Sequence, residues 1–259
     1  MFNSIKSTLT TGAVASLLFV SAFSLADVNE TLRAAGGGTL DLKTDAGKLI
    51  IDTHDEDSVV LDVTIDGKNA DDMEVTFETD GTNVTIRGEM DSRWGWGSSV
   101  RAEFRVTVPE HYNLELDTAG GSIRIKDLTG DVEAHTSGGS IKVGSITGRV
   151  NLDTSGGSIS TEAIHGPLNA HTSGGSINVT IAEQLTENAV LDTSGGSISA
   201  YIVDDAQIDL DASTSGGRVR TDFDVDGRIK KRSIRGEING GGPTLKLRTS
   251  GGSISIKSL

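Results

Sequence analysis

Cysteine is absent from the 259 residues, proline occurs only 3 times, and aromatic side chains make up 4%. Without cysteine the chain can carry neither a disulfide nor a lipid-linked thioether, even in a compartment that would permit the former. Scarce aromatics, with hydrophobic residues at 35%, leave too little bulk for a large globular core. Basic residues are outnumbered 23 to 37, giving a net charge of −14 that repels nucleic acid and anionic lipid surfaces. A cationic partner, a metal ion or a neutral glycan remains compatible with that charge.

What the chain has in quantity is glycine, 33 residues, together with β-branched Ile, Val and Thr. That mixture favours short strands joined by tight turns and disfavours helix. The glycines are ordered. Seven near-copies of Thr-Ser-Gly-Gly-Ser-Ile begin at Thr118, Thr136, Thr154, Thr172, Thr193, Thr214 and Thr249, with successive starts 18, 18, 18, 21, 21 and 35 residues apart. A period of this size marks a solenoid of stacked coils, an all-β fold with coils of about 18–21 residues.

One unit runs Val132-Glu-Ala-His-Thr-Ser-Gly-Gly-Ser-Ile-Lys-Val143, followed by Gly144-Ser-Ile-Thr-Gly148. Alternation predicts Val132, Ala134 and Thr136 inward on a first strand, Ile141 and Val143 inward on a second, and Ile146 plugging a corner. Equivalent positions in neighbouring coils then stack about 4.8 Å apart as columns of side chains. The turns are Gly120-Gly121, Gly138-Gly139, Gly156-Gly157, Gly174-Gly175, Gly195-Gly196, Gly216-Gly217 and Gly251-Gly252. Positive φ at one or both residues, and close stacking that excludes a Cβ, are the expected reasons for them. They do not form a phosphate loop, because the sequence continues as strand where such a loop would enter a helix.

Residues 1–26 read as a secretory signal peptide: Lys6, an apolar run from Ala13 to Leu25, and the small residues Ser24 and Ala26 three and one before the cut. The apolar run is shorter than the roughly 20 residues that span a bilayer, so no membrane span is expected after processing. Removal takes away one Lys and no acid, so the charge becomes −14 − 1 = −15. Residues 27–112 lack the hexapeptide but keep strand alternation and are expected to cap the stack. Residues 113–259 form the regular solenoid, closed by a carboxy-terminal cap at residues 238–259.

The run from Val106-Thr-Val-Pro109 to Ser122-Ile123, the repeated hexapeptide, and the ending Gly236-Glu-Ile-Asn-Gly-Gly-Gly-Pro243 through Gly251-Gly-Ser-Ile254 resemble the bacterial "putative adhesin" family of β-strand-repeat domains, a domain of unknown function. The resemblance covers nearly all of the chain beyond residue 26. It implies a right-handed, single-chain β-helix, akin to the head domains of autotransporter adhesins. It implies no catalytic residues, and its motif residues are those that turn the coil.

Several groups of residues are candidates for chemistry. The residue before each motif threonine faces outward, giving a column Asp117, His135, Asp153, His171, Asp192 and Ser213. Stacking in register would set each His between two carboxylates, which favours the charged imidazole. A metal stripe or a pH-responsive face is one reading; the other is a ladder that neutralises itself, since only two His are present and a metal site needs three or four convergent ligands. The neighbouring column Glu115, Glu133, Asn151, Asn169 fades from charged to neutral, as a solvated face does.

Asp222, Asp224, Asp226 and Gly227 match the first half of a calcium loop, but Ser233 stands where the bidentate Glu belongs and Lys230, Lys231 and Arg232 precede it. The simpler reading is a strand with Thr221, Phe223 and Val225 inward. Arg93, Trp94 and Trp96 share one loop, where indoles could stack on sugar rings or fold over an exposed coil end. His54, His111 and His165 lie outside the ladder, and no unique nucleophile–base constellation stands apart from the repeat. Taken together, these features predict a non-enzymatic, cofactor-free, exported periplasmic, secreted or cell-surface protein. Its role would be adhesin-like, through contact with a protein or glycan of the envelope, with end-to-end self-association open to it. A polysaccharide-binding or polysaccharide-active β-helix enzyme, and an inert envelope spacer or stress accessory, are the alternatives.

Overall fold

The computed structural model describes residues 21–23, 27–67, 70–90 and 100–259. Among the described residues the chain is β-strand almost throughout, with one 3-10 turn at Ala70–Asp72 and no α-helix. The strands build two sheets, of 13 and 14 strands, whose inner faces share one continuous core.

The first strand of each repeat lies in the 13-stranded sheet. Val132 pairs with Leu114 on one side and Val150 on the other, and Val150 pairs in turn with Leu168. The second strands form the other ladder, where Ile123, Ile141, Ile159, Ile177, Ile198, Ile254 and Val219 stand side by side. All of that column is buried, none of it more than 7% exposed. Burying each such side chain contributes about 1.5–3 kcal/mol, so the columns are the main source of stability.

Ile146 does more than plug a corner. Leu128–Thr129, Ile146–Thr147 and Ile164–His165 are short strands that pair with one another as a third face. Further on, the single strand Ile177–Ile181 pairs with Ile159 at one end and Ile164 at the other, merging the second and third faces.

The motif glycines meet one of their two expectations. Positive φ does not occur in the Gly-Gly pairs; at the repeat corners it is found at Gly130, Gly148 and Gly166, before each new first strand. Close stacking is the operative reason. A Cβ on Gly139 would lie 2.0 Å from the carbonyl oxygen of Gly121, far inside any permitted contact.

The chain does not stack in sequence order at either end. Thr39–Thr44 pairs with Asn113–Thr118, and Lys48–His54 pairs with Ile123–Ile125, so the ladder crosses the boundary expected at residue 113. Outside that coil lies the pair Asn83–Met90 and Val100–Pro109, followed by antiparallel strands. At the other end Thr244–Thr249 inserts between Ala189–Thr193 and Ile208–Thr214. The segment expected to close the solenoid is thus inside it. The closure is made by Ser233–Ile238 and Asp226–Lys230, which pair antiparallel on the outer side of Ile208–Thr214. In both places the coil nearest a chain end is clamped from two sides.

Candidate functional site

Every inward position of the first ladder is apolar or threonine, so chemistry is confined to its outer face, where alternate residues of each strand project. The stack places the expected column in register and lengthens it. Asp117 neighbours His135, His135 neighbours Asp153, Asp153 neighbours His171, and His171 neighbours Asp192. Beyond Asp117 stands Lys43, and beyond Asp192 stands Arg248, with Ser213 next after it. Carboxylate and imidazole alternate along the column between Lys43 on one side and Arg248 on the other.

The side chains make contact. His135 Nδ1 lies 3.2 Å from Asp153 Oδ1, His171 Nδ1 lies 3.4 Å from Asp192 Oδ1, and Lys43 Nζ lies 3.4 Å from Asp117 Oδ2. All five ladder residues are between 40 and 48% exposed, so these pairs are bathed in solvent and individually worth little. In the adjacent column Glu115, Glu133, Asn151 and Asn169 stand in register, and Asn169 Nδ2 donates to Asn151 Oδ1 at 3.0 Å.

Arginine–aspartate pairs bound this face at both ends. Arg87 holds Asp41 with Nη1 to Oδ1 at 2.9 Å. Arg248 and Arg235 both hold Asp211, the latter with Nε to Oδ1 at 3.1 Å. Burial pushes the Asp211 carboxyl up, but hydrogen bonds from Arg248 and Arg235 outweigh it and hold the group below the ordinary carboxylate range.

Between the two columns runs an open groove of ≈ 530 Å³, lined by Asp117, Glu133, His135, Asn151, Asp153, Asn169, His171 and Asp192 among others. A hollow of ≈ 270 Å³ continues it past Glu133 and Asn151 to Glu115, Asp131 and Arg149. No group of three or more His, Asp or Glu side chains able to hold a metal ion occurs among the described residues. The second ladder is mixed in charge: Arg124, Lys126 and Lys142 line a hollow of ≈ 320 Å³ together with Asp127 and Glu162, and Arg105 and Lys126 both contact Asp52.

The remaining candidates are dispersed. Asp222 and Asp224 lie in the bend after Val219–Thr221, not in the strand expected there, and Asp226 opens the exposed strand Asp226–Lys230. His165 ends a short third-face strand, with Nδ1 3.8 Å from Glu183 Oε2. His54 Nε2 contacts the Ser58 carbonyl at 2.7 Å, and His111 bridges to Thr129. Arg93, Trp94 and Trp96 lie outside the described residues.

Lys43 and Arg248 were missed by the sequence reading, though each precedes a threonine of the column. Arg248 stands before Thr249 of a full motif. Lys43 stands before Thr44-Asp-Ala-Gly-Lys-Leu49, a worn eighth copy whose Thr44 pairs with Thr118 and whose Leu49 pairs with Ile123.

The architecture is that of an all-β repeat protein, solenoid-like. A family model described as Toastrack DUF4097 matches residues 38–257, and the chain belongs to that family. Among solved structures it is similar to a "putative cell adhesion protein" from Clostridium sporogenes, at 14% identity over 94% of this chain and 100% of that one, with a TM-score of 0.42. It is also similar to a "putative adhesin" from Bacteroides fragilis, at 12% identity over 90% and 97% of the two chains, with a TM-score of 0.44. A comparison with curated proteins finds no match.

Proposed function

We propose that this protein is an exported, non-enzymatic, adhesin-like component of the cell envelope, a right-handed β-helix of 18–21-residue coils that acts by surface contact. The contact face is the outer side of the 13-stranded sheet, and its ligand is a neutral or amine-bearing glycan laid along the groove. The observation that supports this reading is the groove itself: carboxylates, imidazoles and amides repeated at strand spacing, about 4.8 Å, over five consecutive strands. Such a surface offers hydrogen bonds to hydroxyls at regular intervals, and its carboxylates favour amines over anions. A hydrolase would need one acid–base pair set apart from its copies, and here each carboxylate is one member of a column.

The test is binding of the exported protein to arrayed glycans and fractionated envelope material, beside two variants. Asn151→Arg fills the groove floor, and Trp94→Ala with Trp96→Ala removes the indoles of the loop at residues 92–98. Loss of binding in Asn151→Arg supports the groove. Loss confined to the tryptophan variant moves recognition to that loop. Silence of the unaltered protein on every surface overturns the binding reading in favour of a spacer.

A further inference from the structure

The strand that ends the 13-stranded sheet beyond Ser233–Ile238 is complementary to itself. Residues 224–230 read Asp-Val-Asp-Gly-Arg-Ile-Lys: acid, apolar, acid, glycine, base, apolar, base, so each charge is mirrored about Gly227 by its opposite. Asp226–Lys230 is the last strand of the sheet, exposed at all five residues and paired on one side only, with Ser233–Ile238. Ahead of it the chain keeps the alternation, with Asp224 exposed and Val225 half-buried.

We propose that two copies of this chain join through this edge, residues 224–230 of one pairing antiparallel with the same residues of the other about a two-fold axis at Gly227. Asp226 of each copy then stands opposite the partner's Arg228, Asp224 opposite the partner's Lys230, and Val225 opposite the partner's Ile229.

Charge supports the match. Within its own hairpin Asp226 stands opposite Glu237 and Arg228 opposite Arg235, and like charges directly opposite one another destabilise a sheet. Arg235 is itself committed to Asp211. Among the described residues no ion pair is formed by Asp224, Asp226, Arg228 or Lys230. A second copy supplies what the hairpin withholds, since every charge of the edge then meets its opposite. Charged edge strands ordinarily guard against pairing. Here the guard admits one partner in one register: a slip by two residues sets Arg228 opposite the partner's Arg228, or Asp226 opposite the partner's Asp226, and a slip by one turns the side chains to the wrong face.

The apolar positions support it as well. Ile229 stands opposite buried Ile234, so it lies on the core side, and Val225, four residues earlier, shares that side and packs against the core. Ile229 is nonetheless 62% exposed, and the partner's Val225 would cover it. The contact is isologous and therefore closes at two copies. An antiparallel pair is related by an axis perpendicular to the sheet, so the two 13-stranded sheets continue into one and their outer faces turn the same way. Two grooves on one side would hold a polymer more firmly than one; that consequence, unlike the joint itself, rests on the reading of the groove as a glycan site.

The full chain is expressed with export in a bacterial host, and its association is followed by sedimentation velocity with rising concentration. A monomer–dimer equilibrium that stops at two copies is expected, with the dimer weakened at least about tenfold between low and roughly 0.5 M salt, where the Debye length is only a few ångströms. Asp224→Lys with Asp226→Lys makes the edge wholly basic, and Arg228→Glu with Lys230→Glu makes it wholly acidic, so each variant is expected to remain monomeric. Mixed in equal amounts, the two are expected to form a one-to-one dimer, a result that misfolding of either cannot produce. An unaltered chain that stays monomeric sinks the proposal. So do species larger than two copies, association undiminished in either variant, or a mixture no more associated than its parts.

Discussion

The hydroxyl of Thr136 donates to the carbonyl oxygen of Gly121, one coil earlier, at 2.7 Å, and accepts from the Gly139 N–H of its own coil at 3.3 Å. The same pair of bonds recurs at Thr154, Thr172, Thr193, Thr214 and Thr249. Around the turn each serine hydroxyl accepts the N–H of the next coil's serine, as Ser140 does for Ser158 at 3.1 Å. Threonine, second glycine and serine therefore form one hydrogen-bonded seam that ties each turn to the one before.

Breaking the seam at its buried member should be costly. Thr154 is 0% exposed, and Thr154→Val keeps its shape while leaving the Gly139 carbonyl and the Gly157 N–H without a partner. The expected loss is about 1–3 kcal/mol for orphaned buried polar groups. Thr154→Ser retains the hydroxyl and should lose less. Urea denaturation of the three proteins decides it, and equal midpoints for Thr154→Val and the unaltered chain would refute the seam.

The two glycines of a turn, adjacent in sequence, should respond differently. A Cβ on Gly138 has as its nearest neighbour the Gly120 Cα at 3.9 Å, whereas one on Gly139 meets a carbonyl oxygen at 2.0 Å. Gly138→Ala is expected within about 0.5 kcal/mol of the unaltered protein, as for ordinary surface changes. Gly139→Ala must separate two coils and should cost at least about 1–3 kcal/mol, as overpacking does. Thermal melting of the two variants reads the difference; similar losses would mean that the turn conformation, and not the stacking, selects glycine.

These contrasts mark what the sequence could and could not reveal. The inward positions, the Asp–His register and the all-β class follow from a short motif repeated at fixed spacing, because parallel stacking of identical coils admits one register. Thr136 was read as a core position, and its hydrogen bonds went unseen because β-branching satisfies the apolar pattern equally well. Stacking order was not legible. The strands ending at Thr193, Thr214 and Thr249 present nearly the same inner faces, so local sequence cannot say that Thr249 neighbours both others; the 35-residue gap before Thr249 was the only trace. Lys43 and Arg248 were lost for the same reason, since their places depend on that order.

Asp211 gives a pH signature. Its folded carboxyl titrates below the ordinary value of 3.8, because the bonds from Arg248 and Arg235 outweigh the opposing effect of burial. The group's contribution to stability is present above that ordinary value and is lost as pH falls through the lower folded one. Asp211→Asn is expected to cost about 1 kcal/mol at neutral pH, a partly exposed paired charge being worth no more. Its deficit should shrink once the pH drops below the folded value. Urea midpoints of both proteins from neutral pH down to acid measure this, and a deficit that does not change with pH would show the arginine contacts to be immaterial.

Ending the chain before Gly242 tests the threading itself. In a solenoid stacked in sequence order, the last coil covers a single neighbour, and its removal frays one end. Here the last coil has neighbours on both sides, Ala189–Thr193 and Ile208–Thr214, and buries Leu245, Leu247, Ile254 and Ile256 between them. Each such side chain contributes about 1.5–3 kcal/mol, so the four together approach the whole stability of a typical domain, about 5–15 kcal/mol. The gap they leave cannot close without shifting the antiparallel closure at Ser233–Ile238 as well. We therefore expect the shortened chain to lose the entire carboxy-terminal part of the stack, read as protease cleavage reaching back beyond Ile208. Cleavage confined to the last few residues of the shortened chain would instead mean that its coils stack in sequence order.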